Sequence, residues 1–416
     1  MNLAIDKNII EFANQNLKQK RMLKIGINAS FLRKQDAGIG QVTVNFLQKL
    51  IELESGKNPG KKVEFFLYLE EDAKLKLPKN TASSKVKFHK RIFLPVYKRD
   101  DLIRKIWWEK YLLPKKVRQD GCDVFLSLYQ STTILPKKIK HLMLVHDIIP
   151  KIFPQYLNNF RKKLYQELVE DAIKTVAKII TVSHRSEKDL IKHLCVDPKK
   201  ITVSYIDVDQ IYKRKVSDSE SKIVLKKYKL EAGYIYSGGG LEVRKNVESV
   251  VRAYKKLLER NFKTKTIPKL VISGRLLPQL VPLTTDVKKL VEELGLKNQV
   301  VILGYVPQAD LPAIYNNAKL FVYPSLYEGF GLPVLEAMSQ GVPVVTSKTS
   351  SLPEVGSDSV LYCDPSKIED IVMVMKNVLS NEHLQAALSL KGKERAARFS
   401  WEQFTRKMLN IIDELK

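Results

Sequence analysis

Short apolar runs alternate along the chain with longer stretches whose hydrophobic residues fall three and four positions apart. The first run, KIGINAS at residues 24–30, reads as a buried strand, and AGIGQVTVNFLQKLIEL at 37–53 reads as a glycine turn opening a helix. VEFFLYL (63–69), CDVFLSL (122–128), HLMLVHDIIP (141–150), AKIITVS (177–183) and ITVSYI (201–206) continue the series, separated by helical segments such as 156–177. A second series runs from YIYSGGG (234–240) through KLVISGR (269–275), QVVILGYV (299–306), KLFVYPS (319–325), VPVVTS (342–347) and VLYCDP (360–365). Apolar runs of strand length with helices between them predict parallel sheets covered on both faces. The fold class expected is therefore α/β, as two doubly wound units at 22–210 and 231–398. A charged, serine-bearing linker is expected at 211–230 and a closing helix at 399–416. Residues 1–21 form an extension in which Ile5, Ile9, Phe12, Ala13 and Leu17 repeat at helical spacing, ahead of Lys18, Lys20, Arg21 and Lys24. Two such units with their strand ends facing each other make a cleft, where ligands of open α/β sheets collect.

Composition changes this picture mainly through charge. With 44% hydrophobic and 28% charged residues the chain is ordinarily globular, which excludes disordered and fibrous classes. Its net charge of +26 is unevenly spread: residues 1–210 hold 40 Lys/Arg against 23 Asp/Glu, and residues 85–118 alone hold 12 against 3. That stretch interleaves its cations with Phe88, Phe93, Tyr97, Trp107, Trp108 and Tyr111, a pattern suited to an anionic membrane face or an anionic acceptor. A merely solvated basic surface remains the competing reading, and single-stranded nucleic acid is the least favoured. Lys98, Arg99, Arg104 and Lys105 are the expected docking charges. Three scattered cysteines argue for a reducing compartment, Asp6 and Glu11 disfavour a signal peptide, and no uncharged apolar run reaches the length of a membrane span. The expected location is cytoplasmic, peripheral at the inner face of the membrane.

The most specific string is YEGFGLPVLEAMSQGVPVVTS at 327–347. Glu328 follows a strand, Gly329 and Gly331 let backbone amides approach a ligand, and Leu332 opens a helix with Pro333 in its first turn. Such amides at a helix N-terminus favour a phosphate or the polar edge of a sugar. Glu336 lies about one turn into that helix, so both carboxylates can face one cleft and accept paired hydroxyls. Gly38 and Gly40 lie between a strand and its helix in the other unit, but Thr43 stands where a dinucleotide fingerprint needs its third glycine, which disfavours a nicotinamide or flavin enzyme. Asp207, Val208 and Asp209 spell a D-x-D string. No other His/Cys/Asp cluster has ligand spacing, and no obligatory metal is expected.

Together these strings resemble the retaining nucleotide-sugar glycosyltransferases of glycosyltransferase family 4, which have the GT-B fold of two facing Rossmann-like domains. The resemblance extends through NASFLRKQDAGIG, LVHDIIP, AKIITVSHRSEKDL, SGGGLEVRKN, LVISGR, LGYVPQADLPAIYNNAK and SLPEV to FSWEQF, from residue 22 almost to the end. WWEKYLLP, DVFLSLYQSTTILP and VHDIIP are most similar to the mannosyltransferase-like branch. The resemblance implies a donor that is a nucleoside diphosphate sugar, GDP-mannose or a UDP-sugar, and a glycan or lipid-linked acceptor held by the first domain. Arg244 and Lys245 correspond to the basic pair that neutralises the donor diphosphate, although Gly239 stands where the family often has a further cation. Glu328 would bind the sugar hydroxyls, Glu336 the ribose, and His146 a sugar hydroxyl; Asp147 would orient the acceptor or cap the helix after Pro150. Gly38, Gly40, Gly329, Phe330, Gly331 and Leu332 would line the donor, with Arg275 and Val306 near its base. His184 is read as structural, and the D-x-D string as the family's hinge. The closing helix would cross back to the first domain. Two alternatives stand beside this reading: another GT-B enzyme, such as a nucleotide-sugar epimerase or a glycogen-synthase-like polymerase, and a non-catalytic basic protein that binds membrane or nucleic acid.

Overall fold

The computed structural model describes residues 22–415 apart from 36, 56–61, 82, 96–99 and 261–266. The expected extension helix, and Tyr97, Lys98 and Arg99 of the basic stretch, lie outside the described residues. Among the described residues thirteen strands form two sheets. In the first, β1 (Leu23–Asn28), β2 (Val63–Leu69), β3 (Val86–Ile92), β4 (Val124–Ser127), β5 (Lys140–Val145), β6 (Lys178–Thr181) and β7 (Ile201–Val203) lie in the order β3-β2-β1-β4-β5-β6-β7. In the second, β8 (Tyr234–Ser237), β9 (Leu270–Ser273), β10 (Val300–Gly304), β11 (Ala318–Tyr323), β12 (Val344–Ser347) and β13 (Leu361–Cys363) lie in the order β10-β9-β8-β11-β12-β13. All strand pairs are parallel, with Ile25 opposite both Phe65 and Val124, and Phe321 opposite both Val344 and Tyr236. Helices cover both faces, so the central strands are buried residue after residue, as in VFLS of β4 and YIYS of β8.

The sequence of strands reverses direction beside β1 in one sheet and beside β8 in the other. At such switch points the chain leaves neighbouring strands toward opposite faces, which opens a crevice beyond their carboxyl ends. The loops after β1, β4 and β5 therefore face those after β8 and β11, and these loops carry the motifs singled out above.

The sequence pattern missed two elements. β3 (VKFHKRI) lies inside the basic stretch, where its cations hid a strand at the sheet edge; charged side chains are a common way of protecting such an edge. The expected linker holds a helix, Asp218–Tyr228, capped by Ser217 and docked on the second unit: Tyr228 donates to Asp310 Oδ2 at 2.7 Å and Asn317 donates to Ser221 Oγ at 3.1 Å. Polar composition alone does not separate a linker from a helix with one apolar side.

The helix Trp401–Glu414 packs on the first unit. Phe404 meets Phe46 edge to face at 6.1 Å, Trp401 Nε1 donates to Val208 O at 2.8 Å, and Lys407 Nζ donates to Val203 O. One apolar core consequently runs from β1 and β2 through these residues to the helix Leu332–Ser339 of the second unit.

Candidate active site

β8 ends at Ser237 and passes into three glycines. Gly239 and Gly240 have φ of +99° and +121°, and a Cβ on Gly239 would lie 2.8 Å from Pro333 Cγ, so the loop passes under the first turn of the helix Leu332–Ser339 only without side chains. A short turn, Val243–Lys245, follows, and Asn246 ties it to the loops after β11 and β13 by donating to Pro324 O (3.1 Å) and Pro365 O (2.8 Å).

This turn delivers Arg244 and Lys245 to Glu328. Arg244 Nη1 donates to Glu328 Oε2 at 2.9 Å and to Tyr327 O at 3.0 Å; Lys245 Nζ donates to Glu328 Oε1 at 2.8 Å. Oε1 also accepts from Tyr323 OH (2.6 Å) and Ser325 Oγ (2.8 Å). Burial alone would raise the Glu328 pKa, but Lys245 and Arg244 outweigh it and hold the carboxyl at about 2. Burial lowers the Lys245 pKa against the pull of Glu328, whereas for Arg244 the carboxylate wins and the guanidinium is held more firmly charged. Two cations share one carboxylate in a nearly dry site. Glu242 also acts on both cations, and the adjacent pair suits a diphosphate and the charge that develops on a leaving phosphate oxygen. Tyr323 and Ser325 were not anticipated; YPS before the motif was their only trace, and hydroxyls inside an apolar strand look like core.

Glu336 occupies a separate environment. It lies buried in the helix Leu332–Ser339 and accepts from Tyr315 OH at 2.9 Å. Burial, only partly offset by that hydrogen bond and by Lys245, pushes its pKa up to about 7.

The first unit faces this cluster through the loop after β5. His146 Nε2 lies 3.0 Å from the Leu128 carbonyl, which only accepts, so Nε2 carries the proton. Burial lowers the His146 pKa, and the neutral ring keeps Nδ1 as an acceptor. Asp147 is raised by burial and lowered by the charge of Arg244 from the opposite unit. Its Oδ1 accepts from Ile149 N at 3.0 Å, at the start of the short helix Ile149–Ile152. Gly329 presses against this loop: a Cβ there would stand 2.6 Å from His146 O and 2.9 Å from Asp147 Cβ. Ser183 Oγ donates to Gly329 O at 2.6 Å, and the His184 and Arg185 amides donate to Glu354 Oε2 and Oε1, each at 2.8 Å. Tyr327 OH donates to Asp189. The helix His184–Leu194 of the first unit is thus clasped by the second, with Glu354 set on its positive N-terminus. His184 itself pairs with Glu187 at 2.8 Å, in keeping with its structural reading.

The remaining candidates divide. Gly38 opens the helix Gly38–Glu54 with nothing within 4 Å of where a Cβ would be, whereas a Cβ on Gly40 would stand 1.9 Å from Lys34 O, so packing within the first unit already demands that glycine. Gly331, at φ +120°, precedes Leu332 at the helix start. Phe330 packs its ring on Tyr205 of the first unit (6.0 Å) and on Phe399 (5.8 Å). Arg275, after β9, stacks on Tyr305, after β10, at 4.7 Å, beside the buried Val306. In the D-x-D string, Asp207 pairs with Lys213 and accepts from Val208 N, and Asp209 accepts from Ile211 N and Asn45 Nδ2. Among the described residues no group of three or more His, Cys, Asp or Glu side chains is arranged to hold a metal ion.

The basic stretch requires a correction. Arg104 turns inward to Glu70 (3.2 Å) and Asp101 (3.1 Å), and Lys105 lies inside the unit near Glu109 (3.7 Å), so neither is a surface docking charge. A π-helical segment, Trp108–Leu112, follows them. Its wider turn buries both Trp108 and Glu109 while Trp107 and Tyr111 stay 52% and 58% exposed, with ring centroids 6.1 Å apart.

With known proteins the chain shares the following. The family described as Glycosyl transferases group 1 matches residues 220–395, and Glycosyltransferase Family 4 matches residues 63–209. The O-antigen chain mannosyltransferase B of Escherichia coli is 34% identical over 279 residues, 66% of this chain and 71% of that protein. The serotype-specific mannosyltransferase WbdA of the same organism is 30% identical over 271 residues, which are 63% of this chain and 32% of the length of that longer protein. Among solved structures, Anabaena Alr3699/HepE in complex with UDP and glucose superposes with a TM-score of 0.67 at 15% identity, covering 95% of this chain and 100% of that one.

Proposed function

Given that this chain belongs to glycosyltransferase family 4 and has the GT-B fold, we propose that this retaining hexosyltransferase moves mannose, or a glucose-type hexose, from a nucleoside diphosphate to a glycan or lipid-linked acceptor during cell-surface polysaccharide synthesis. The observation that carries the proposal is the pairing of Arg244 and Lys245 on Glu328, opposite His146 and Asp147. The names of the two Escherichia coli relatives support mannose as the sugar.

In this reading the donor diphosphate meets the Arg244–Lys245 pair. As the glycosidic C–O bond breaks, the leaving oxygen gains charge beside cations that need no reorganisation, so they stabilise the transition state more than the ground state. Glu328 keeps both cations in place and shares its oxygens with the sugar hydroxyls. Neutral His146 accepts a hydroxyl hydrogen, and Glu336 receives the ribose. Retention follows when the acceptor hydroxyl attacks from the face the diphosphate leaves, passing its proton to a phosphate oxygen. The acceptor arrives from the first unit, past Asp147. That unit meets an anionic membrane through Trp107 and Tyr111 with Lys110, Lys115 and Arg118 near them in the chain, rather than through Arg104 and Lys105.

The test is donor turnover with GDP-mannose, UDP-glucose and UDP-N-acetylglucosamine. Release of nucleotide diphosphate from GDP-mannose, faster than from the UDP-sugars and accelerated by a glycan acceptor, is expected. Absence of binding and turnover with all three would favour the non-catalytic binding protein.

A further inference from the structure

The first unit buries a carboxylate outside the donor site. Glu109 lies on the π-helical segment Trp108–Leu112 and is fully buried. Its Oε1 accepts from Tyr129 OH at 2.7 Å, and its Oε2 accepts from Thr132 N at 3.0 Å and from Tyr165 OH at 3.2 Å. The Glu109 carbonyl accepts from Thr133 Oγ1 at 2.9 Å, and Lys105 Nζ stands 3.7 Å from Oε1. Burial, reinforced by the charge of Glu109, raises the pKa of both tyrosines, so their hydroxyls stay protonated and donate. A buried ion is seldom worth more to stability than an apolar side chain of the same volume, whereas a satisfied polar network fixes one arrangement of the groups it joins.

Residues 128–139 connect β4 to β5 without helix or strand, so side chains must hold them, and Tyr129, Thr132 and Thr133 are all tied to Glu109. The same segment holds the residues that face the donor loop. Leu128 O is the partner of His146 Nε2 at 3.0 Å, Gln130 Nε2 donates to Asp147 O at 3.2 Å, and His146 N donates to Gln130 Oε1 at 3.4 Å. Ser186 Oγ donates to the His146 carbonyl at 2.8 Å and so fixes the backbone there, but it is Leu128 O that decides which ring nitrogen carries the proton. Tyr129 OH also meets Asn28 Nδ2 (3.1 Å) and Ser30 Oγ (2.9 Å), so the network reaches the end of β1 as well. The fit on the far side is close: a Cβ on Gly329 would stand 2.6 Å from His146 O.

We propose that Glu109 is a positioning residue: by anchoring segment 128–133 it fixes, through Leu128 O, the orientation and tautomer of the His146 ring, and with them the nitrogen offered to a sugar hydroxyl. The proposal rests on the transferase reading above and deepens it with a residue that touches neither substrate. Glu109→Gln keeps the shape of the side chain but replaces one acceptor oxygen by an NH2 group that faces other donors. In the full chain, with the donor that is turned over, kcat should fall at least tenfold while nucleoside diphosphate affinity, measured by calorimetry, stays within twofold. A residue that only supports the fold would cost the same with or without His146, whereas one that acts through the histidine would not. His146→Ala should therefore lower kcat, and the double variant should lie within twofold of His146→Ala alone. Should Glu109→Gln fail to fold, Tyr129→Phe, which removes only the hydroxyl shared by Glu109, Asn28 and Ser30, should lower kcat at least threefold and likewise lose its effect beside His146→Ala. Losses that multiply in the double variant, a matching loss of diphosphate affinity, or an unchanged kcat in the variant tested overturns the inference. An unchanged kcat in His146→Ala also overturns it and leaves the transferase reading standing. Failure of the wild type to turn over any donor overturns the transferase reading, and this inference with it.

Discussion

Glu328 and Glu336 are the same residue type eight positions apart, yet their environments drive their protons in opposite directions. Two cations hold Glu328 ionised down to about pH 2, so its contribution to stability is present above the ordinary carboxylate pKa and is lost only as the pH falls toward 2. For Glu336 the folded pKa is raised, from 4.5 to about 7, so the folded state binds the extra proton and stability declines as pH rises across that interval, by at most about 1.4 kcal/mol per pH unit. Glu336→Gln should flatten the fall in melting temperature between pH 5 and pH 7.5. If the ionised carboxylate receives the ribose, donor affinity should also strengthen through pH 7 in the wild type and lose that dependence in the variant. Lys245→Ala should lower turnover about 100- to 1,000-fold with much less effect on donor affinity, because it removes charge stabilisation used mainly in the transition state; near-normal turnover would refute its role. At this scale the separate burial of Glu336 against Tyr315 was hidden, but that Arg244, Lys245 and Glu328 converge was legible from the strings that carry them. Tyr323, Ser325 and Glu354 were not, because a hydroxyl or carboxylate takes its meaning from a partner distant in the chain.

Elements follow the hydrophobic pattern wherever burial alone decides them, as in β1, β4, β8 and β11 and the helix Gly38–Glu54. The pattern fails where a distant or buried carboxylate claims a cation. Twelve cations in residues 85–118 implied a basic face, but Arg104 turns in to Glu70 and Lys105 to the buried Glu109, and a count of charges does not tell which of them meet such partners. Gly40 shows the converse. It resembles a ligand-binding glycine in sequence, yet a Cβ there meets the Lys34 carbonyl backbone at 1.9 Å. Gly40→Ala should therefore destabilise the fold by about 2–3 kcal/mol, a cost typical of overpacking against backbone, seen as a lowered denaturant midpoint. A stability unchanged within error would show that the turn adapts freely and return that glycine to a ligand role.

On the scale of the whole molecule, the two units are held by contacts that also position the site. Gly329 is anchored by Ser183, and Glu354 clasps two amides of the helix His184–Leu194, so the donor loop and the domain interface are one construction. Glu354→Ala leaves those amides without their acceptor and should open the cleft, read as a larger radius of gyration in solution scattering and a kcat lowered at least tenfold. An unchanged radius and kcat would show that the other contacts suffice. The net charge of +26 acts at this scale too. Lys110→Gln, Lys115→Gln and Arg118→Gln together should weaken binding to vesicles containing anionic phospholipid severalfold, most clearly at low salt, with donor turnover in solution retained. No loss of vesicle binding would leave the stretch as a solvated surface.

The return of the helix Trp401–Glu414 to the first unit bears on how the protein is made. Phe46 and Val208 receive their partners Phe404 and Trp401 from a segment translated after the entire second unit. The first unit therefore leaves the ribosome with part of its apolar surface uncovered, and it stays so while roughly two hundred more residues are added, at about 5–20 residues per second. Domain-by-domain maturation is closed to this chain: the half made first is finished last, and for those seconds its exposed flank is the natural target of a holding chaperone.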